Sequence, residues 1–331
     1  MKQIQVYIVL IACCMLLVAC NNQQKLVRDS IENLQQDRFR VGMMVPDSGL
    51  GDHSFNDLAM EGLIKARDEL DILFDYRDLT MVRSIEQGLI ELVESEADLI
   101  IGIGYSIQAD LEKVAQQFPE KQFLLIDSNS EIENIDSIIF NEYEGSYLAG
   151  VVAASITETG VVGFVGGAVD PIIENFLRGF KEGAQSIQPN IEVIVQYSHT
   201  YSDIQTGMRL ANRIIAQNAD VLYASAGYTG VGVLKAAQNH QLYAIGVDND
   251  QYLYGERAVV TSMMKNIDVA IYNYIKNKLD GNVVQKQMIE YGIANDGISL
   301  APIRIIEEPE KLESEIRKIK QTLIHKGAQN E

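Results

Sequence analysis

From Arg40 onward the chain alternates between two apolar patterns. Short continuous runs of aliphatic and β-branched residues are separated by longer stretches whose apolar positions recur every three or four residues. The first pattern predicts strands over Arg40–Val45, Ile72–Tyr76, Leu99–Ile103, Phe123–Ile126, Ser137–Phe140, Val161–Val165, Ile191–Gln196, Val221–Ala224, Tyr243–Val247 and Ala258–Met263. The second predicts helices over Phe55–Asp68, Ile85–Ser95, Ser106–Phe118, Tyr143–Ile156, Glu174–Ser186, Ile204–Gln217, Gly230–Asn239 and Asp268–Leu279. Two weak strands and a charged amphipathic helix, Pro309–His325, close the chain; that helix is expected to pack on a lobe. Strands with no polar alternation are buried on both faces, which indicates parallel sheets covered by helices on each side.

This is too many strand–helix units for one compact sheet. Two similar α/β lobes with a seam near Asn141 fit better than a barrel, because polar residues follow the strands in two separate sets. Asp47-Ser48, Gly104-Tyr105-Ser106 and Asp127-Ser128 form the first. Gly166-Gly167, Ser225-Ala226-Gly227 and Asp248-Asn249-Asp250 form the second. Open α/β sheets bind ligands beyond the carboxyl ends of their strands, so two facing sheets make a cleft.

The first 39 residues follow neither pattern. Lys2 precedes an apolar run, Val6 to Val18, too short for a comfortable membrane span and of the length of a signal-peptide core. The run ends in Leu17-Val18-Ala19-Cys20, which resembles a bacterial lipobox. On that reading 1–19 is removed, Cys20 carries the lipid, and 20–39 is a polar tether rich in Gln and Asn. Acylated Cys20 would then hold the body at the extracytoplasmic face of the cell membrane.

Charge and cysteine content narrow the function. The 331 residues carry 27 Lys+Arg against 46 Asp+Glu, a net charge of −19, which argues against a polyanion-binding face and so against nucleic acid as a partner. Cys13, Cys14 and Cys20 are the only cysteines, so the body has no disulfide, Cys-ligated metal or Cys nucleophile. His53, His199, His240 and His325 are scattered. No nucleophile elbow or phosphate loop occurs, and the glycine-rich turns at Gly160–Gly167 and Gly227–Gly232 lack the dinucleotide spacing. The acidic group Glu131, Glu133 and Asp136 reads as a solvated loop. These absences leave no positive evidence for a cofactor, a metal or catalytic residues, so no enzyme is expected, though none is excluded.

The binding chemistry concentrates in Pro46–Asp57, which leaves a strand, turns at Gly49 and Gly51 and starts a helix that Asp52 or Ser54 can cap. Phe55 followed by Asn56 at that helix start offers a stacking surface beside an amide; the alternative is a Phe packed into the first turn. Gly51-Asp-His-Ser-Phe-Asn56 resembles the G-D-K-S-F-N signature of the basic membrane protein (BMP) family. Asp98–Gly104, Glu144-Gly-Ser-Tyr-Leu-Ala-Gly150, Val161-Val-Gly-Phe-Val-Gly-Gly167, Ile245-Gly-Val-Asp-Asn-Asp250 and Thr261-Ser-Met-Met-Lys265 resemble further family motifs in the same order.

The resemblance implies a type I periplasmic-binding-protein fold: two doubly wound α/β lobes joined by a multi-strand hinge. It implies a first lobe of 40–141 plus about 251–284 and a second of 142–250 plus about 285–331. It also implies a lipoprotein that binds a nucleoside, expected to be a purine nucleoside, for the permease subunits of an ABC transporter. A regulatory or sensory lipoprotein of the same fold is the alternative, and a hydrolase acting on nucleosides is the enzymatic one. By the resemblance Phe55 and Phe176 sandwich a base, Asn56 and Asp127 read its edge, and Asp248 accepts from ribose hydroxyls. Lys265 donates to a ribose oxygen while its charge keeps Asp248 ionised; a plain Asp248–Lys265 ion pair is the structural alternative. Asp47 and Gly227 are weaker candidates. His53 stands where the family usually has Lys.

Overall fold

The computed structural model describes residues 38–46, 48–282 and 286–327. The expected signal peptide 1–19, Cys20 and most of the expected tether, together with Asp47 and the segment 283–285, lie outside the described residues.

The described chain forms two six-stranded sheets. Strands β1 (Arg40–Met44), β2 (Leu73–Arg77), β3 (Leu99–Ile103), β4 (Gln122–Ile126) and β5 (Ile135–Phe140) belong to the first. Strands β6 (Val161–Gly166), β7 (Glu192–Tyr197), β8 (Val221–Ser225), β9 (Tyr243–Asp248) and β10 (Val259–Lys265) belong to the second. Two short strands complete them. β11 (Met288–Tyr291) pairs parallel with β5, and β12 (Ile298–Leu300) pairs antiparallel with β10. The orders β2-β1-β3-β4-β5-β11 and β7-β6-β8-β9-β10-β12 are the same pattern repeated.

Both faces of each sheet are buried, as the continuous apolar strands require. In β3, Leu99, Ile101 and Ile103 enter one core while Ile100 enters another; in β8, Val221 and Tyr223 are divided from Leu222 and Ala224 in the same way. Helices cover these faces. α1 (Phe55–Leu70), α2 (Ile85–Glu94) and α3 (Gln108–Gln117) belong to the first lobe. α4 (Glu142–Ile156), α5 (Pro171–Ile187), α6 (Ile204–Ile215) and α7 (Gly227–Asn239) belong to the second. α8 (Ile267–Leu279) packs against α1, and the closing helix α9 (Pro309–Gly327) packs on α4 through its buried Leu312 and Ile316.

Among the described residues the chain passes between the sheets three times: from β5 into α4, from β10 into α8, and from β11 to β12. These crossings are laced together. Asn141 N–H donates to Tyr291 O at 2.8 Å and Asn266 N–H to Gly297 O at 2.9 Å. Ile293 N–H donates to Glu144 Oε2 at 2.8 Å.

The apportionment after residue 250 differs from expectation. β10 pairs with β9 in the second sheet and β11 with β5 in the first, so the chain re-enters the first lobe at α8 rather than at 251. The physical reason is that a short connection returns β10 beside β9, where its apolar residues fill the second sheet. Asp136 also departs from the solvated-loop reading. It is 2% exposed on β5 and accepts from Tyr274 Oη at 2.5 Å and from the Gln287 amide at 2.7 Å. Glu131 and Glu133 are exposed, as expected.

Candidate functional site

Corresponding strands of the two lobes end in the same way. β4 runs into Asp127 with φ 68°, and β9 ends at Asp248 with φ 65°. Left-handed backbone at a non-glycine residue is costly, and Asp tolerates it better than most. The turn keeps each carboxylate beside the end of its sheet, and both are 8% exposed.

Lys265, the last residue of β10, reaches between the lobes. It is 1% exposed, and its Nζ donates to Asp127 Oδ2 at 2.5 Å and to Glu142 Oε1 at 2.9 Å. The same Nζ lies 5.0, 5.3 and 5.8 Å from the ring centroids of Phe140, Phe55 and Phe176. Phe55 and Phe176, from α1 and α5, therefore flank one cation. Phe176 is buried, while Phe55 is half-buried near Gly104.

The α1 start is built by Asp52. Its carboxylate accepts the amides of Ser54, Asn56 and Asp57, so Asp52 caps the helix and the Ser54 hydroxyl is released for other use. That hydroxyl donates to Asp248 Oδ2 at 2.5 Å. Asn56 is fully buried; its Nδ2 donates to Ser48 Oγ and Gly49 O, at 2.7 and 2.6 Å. Asn56 Oδ1 and Asp127 Oδ1 are buried acceptors without a hydrogen bond among the described residues. A buried polar atom without a partner is costly, so these two oxygens are ready to receive donors.

The charges are unevenly compensated. Burial pushes Asp248 up to about 6, against the opposing pull of Lys265 and the Ser54 hydroxyl. Burial likewise pushes Glu142 up to about 7, again opposed by Lys265. At Lys265 burial works against the charge, but the surrounding carboxylates outweigh it and hold the ammonium firmly protonated.

Of the residues singled out from sequence, Phe55, Asp127, Phe176 and Lys265 meet directly around the ammonium. Asp248 joins them through charge and through Ser54, and the Asp248–Lys265 contact is replaced by Lys265 bonds to Asp127 and Glu142. Asn56 lies in the first turn of α1, against the Ser48–Gly49 loop. Gly227, with φ 52°, opens α7 against Tyr201, where an added Cβ would stand 3.3 Å from the Tyr201 carbonyl. Sequence reasoning missed Glu142, Phe140 and Tyr201. Glu142 reads locally as an acidic residue suited to a helix start. Tyr201 sits in a polar loop; its hydroxyl is held protonated by burial and by Asp170, Asp248 and Asp127.

Residues 39–329 match the family described as ABC transporter substrate-binding protein PnrA-like, Bmp. The chain belongs to the Bmp family. A CD4+ T-cell-stimulating antigen of Listeria monocytogenes is 33% identical over 285 residues, covering 80% of each chain. An ABC transporter nucleoside-binding protein, BmpA, of Lactococcus lactis is 28% identical, covering 79% of this chain and 81% of its own. Among solved structures, an ABC transporter solute-binding protein of Aeropyrum pernix superposes with a TM-score of 0.75 at 28% identity, covering 86% of each chain. The fold is accordingly that of periplasmic-type solute-binding proteins. Bmp proteins are substrate-binding components of ABC transporters rather than a class of enzymes; they bind a ligand and act with permease subunits.

Proposed function

We propose that this chain is a lipid-anchored receptor that binds a purine nucleoside between its lobes and presents it to an ABC permease. One observation carries the reading: two aromatic rings from opposite lobes flank Lys265 beside two buried acceptors, Asn56 Oδ1 and Asp127 Oδ1, that lack partners. Aromatic faces suit a base, contributing about 1–3 kcal/mol per stacked base. Amide and carboxylate oxygens suit base N–H groups, and Asp248 with Lys265 suits ribose hydroxyls. Buried carboxylates outnumber the single buried ammonium, which disfavours a phosphate and favours nucleoside over nucleotide. The name of the Lactococcus relative supports the same ligand class.

Titration calorimetry of the chain with inosine, guanosine and adenosine tests the ligand; micromolar or tighter binding of at least one is expected. A folded protein that gives no heat with any of them overturns the reading. The anchor rests on Leu17-Val18-Ala19-Cys20. Metabolic labelling with a palmitate analogue should mark the protein and fail to mark Cys20→Ala; equal labelling of both would remove Cys20 from that role.

A further inference from the structure

The turn before α1 does more than start a helix. We infer that His53 and Ser54 form a clasp that fastens the first lobe to the second across the cleft. Ser54 Oγ, on the first lobe, donates to Asp248 Oδ2 of the second at 2.5 Å, with both groups buried. The His53 ring lies 5.2 Å from the ring of Tyr254 and 6.1 Å from that of Tyr228, both on the second lobe. One contact is polar and deep, the other aromatic and nearer the surface, and adjacent residues make them.

The turn is shaped in advance for this. His53 adopts left-handed backbone, φ 53°, and its amide donates to Asp57 Oδ2 at 2.9 Å. Gly51 N–H donates to Asp57 Oδ1 at 2.7 Å, and Asp52 takes the amides that follow. Two carboxylates thus fix the turn from within the first lobe, so closing the lobes costs it little further ordering. The clasp also makes Asp248 depend on lobe position: with the lobes apart, its Oδ2 loses the Ser54 donor. Ser54 is therefore a positioning residue for Asp248.

The clasp stands whatever ligand the cleft accepts, so its test uses the full-length chain in detergent with no nucleoside added. Hydroxyl-radical footprinting reads the accessibility of single rings. Phe176, buried beside Lys265, reports on the cleft, while Phe123 and Phe164, fully buried in the two lobe cores, report on folding. A hydrogen bond to a carboxylate corresponds to roughly a ten-fold or larger change in an opening equilibrium. Ser54→Ala should raise Phe176 oxidation several-fold, and adding His53→Ala should raise it further, with Phe123 and Phe164 unchanged. Ser54→Thr keeps the hydroxyl and should leave Phe176 protected. The proposal falls if Phe176 is unchanged in both the single and the double variant. It also falls if Phe123 and Phe164 rise in parallel with Phe176, or if Ser54→Thr behaves as Ser54→Ala.

Discussion

Lys265 carries the heaviest local burden of any single residue. It holds two buried carboxylates, so removing it leaves Asp127 and Glu142 enclosed without a cation. Lys265→Met should lower unfolding stability by about 3–5 kcal/mol in a urea titration, the range for a broken buried pair. The acids around it set the pH response. Asp248 at about 6 and Glu142 at about 7 lie above their ordinary values of 3.8 and 4.5, so in that interval the folded chain holds protons that the unfolded chain releases. Stability contributed by these groups is fully present below about pH 4 and is lost as pH rises to about 7. Nucleoside affinity should move the other way, because Asp248 accepts hydroxyl donors best when ionised. Without added nucleoside the melting temperature should be higher at about pH 5 than at about pH 7.5, while calorimetry shows weaker binding at the lower pH. Individual site residues were legible to different degrees. Phe55 and Asp248 stood out by residue type at a strand or helix end. Glu142 did not, because its partner is more than a hundred positions away and only folding brings them together.

At the scale of elements, close approach decides the packing of α4 on α5. A Cβ added at Gly150 would run into the Phe180 carbonyl and the Ala184 amide nitrogen, both backbone groups that cannot swing aside. Gly150→Ala should therefore destabilise by about 1–3 kcal/mol, measured by chemical denaturation with near-ultraviolet dichroism to confirm native packing. The strands were the most legible elements, since unbroken apolar runs such as Leu99–Ile103 admit few other readings. Helix starts were less so. Apolar periodicity puts the beginning of α5 at Glu174, but Asp170 accepts the Ile173 amide and Pro171 takes the first turn, so the helix begins three residues earlier. Capping chemistry, not periodicity, sets that boundary. The lobe assignment of β10 was hidden for a different reason: strand pairing is a long-range choice that an apolar run does not encode.

For the whole molecule, the repeated strand order and the matching left-handed aspartates make the two lobes near copies. Their surroundings are not copies: Asp127 holds an ammonium and Asp248 a hydroxyl. A polar ligand bound between them, as proposed, would meet a neutralised end and an anionic end, and so would take one orientation. The lacing of the crossings has its own test. Glu144→Ala frees the Ile293 amide, so the β11 and β12 amides should exchange about ten-fold faster in deuterium-exchange mass spectrometry, while β3 and β8 stay protected. Three crossings fastened to one another act like three pins along one edge of a door. They join the lobes along that edge through the Asn141–Tyr291, Asn266–Gly297 and Ile293–Glu144 hydrogen bonds. On the function proposed above, a permease that met both lobes would read their relative position, whatever cargo the cleft held.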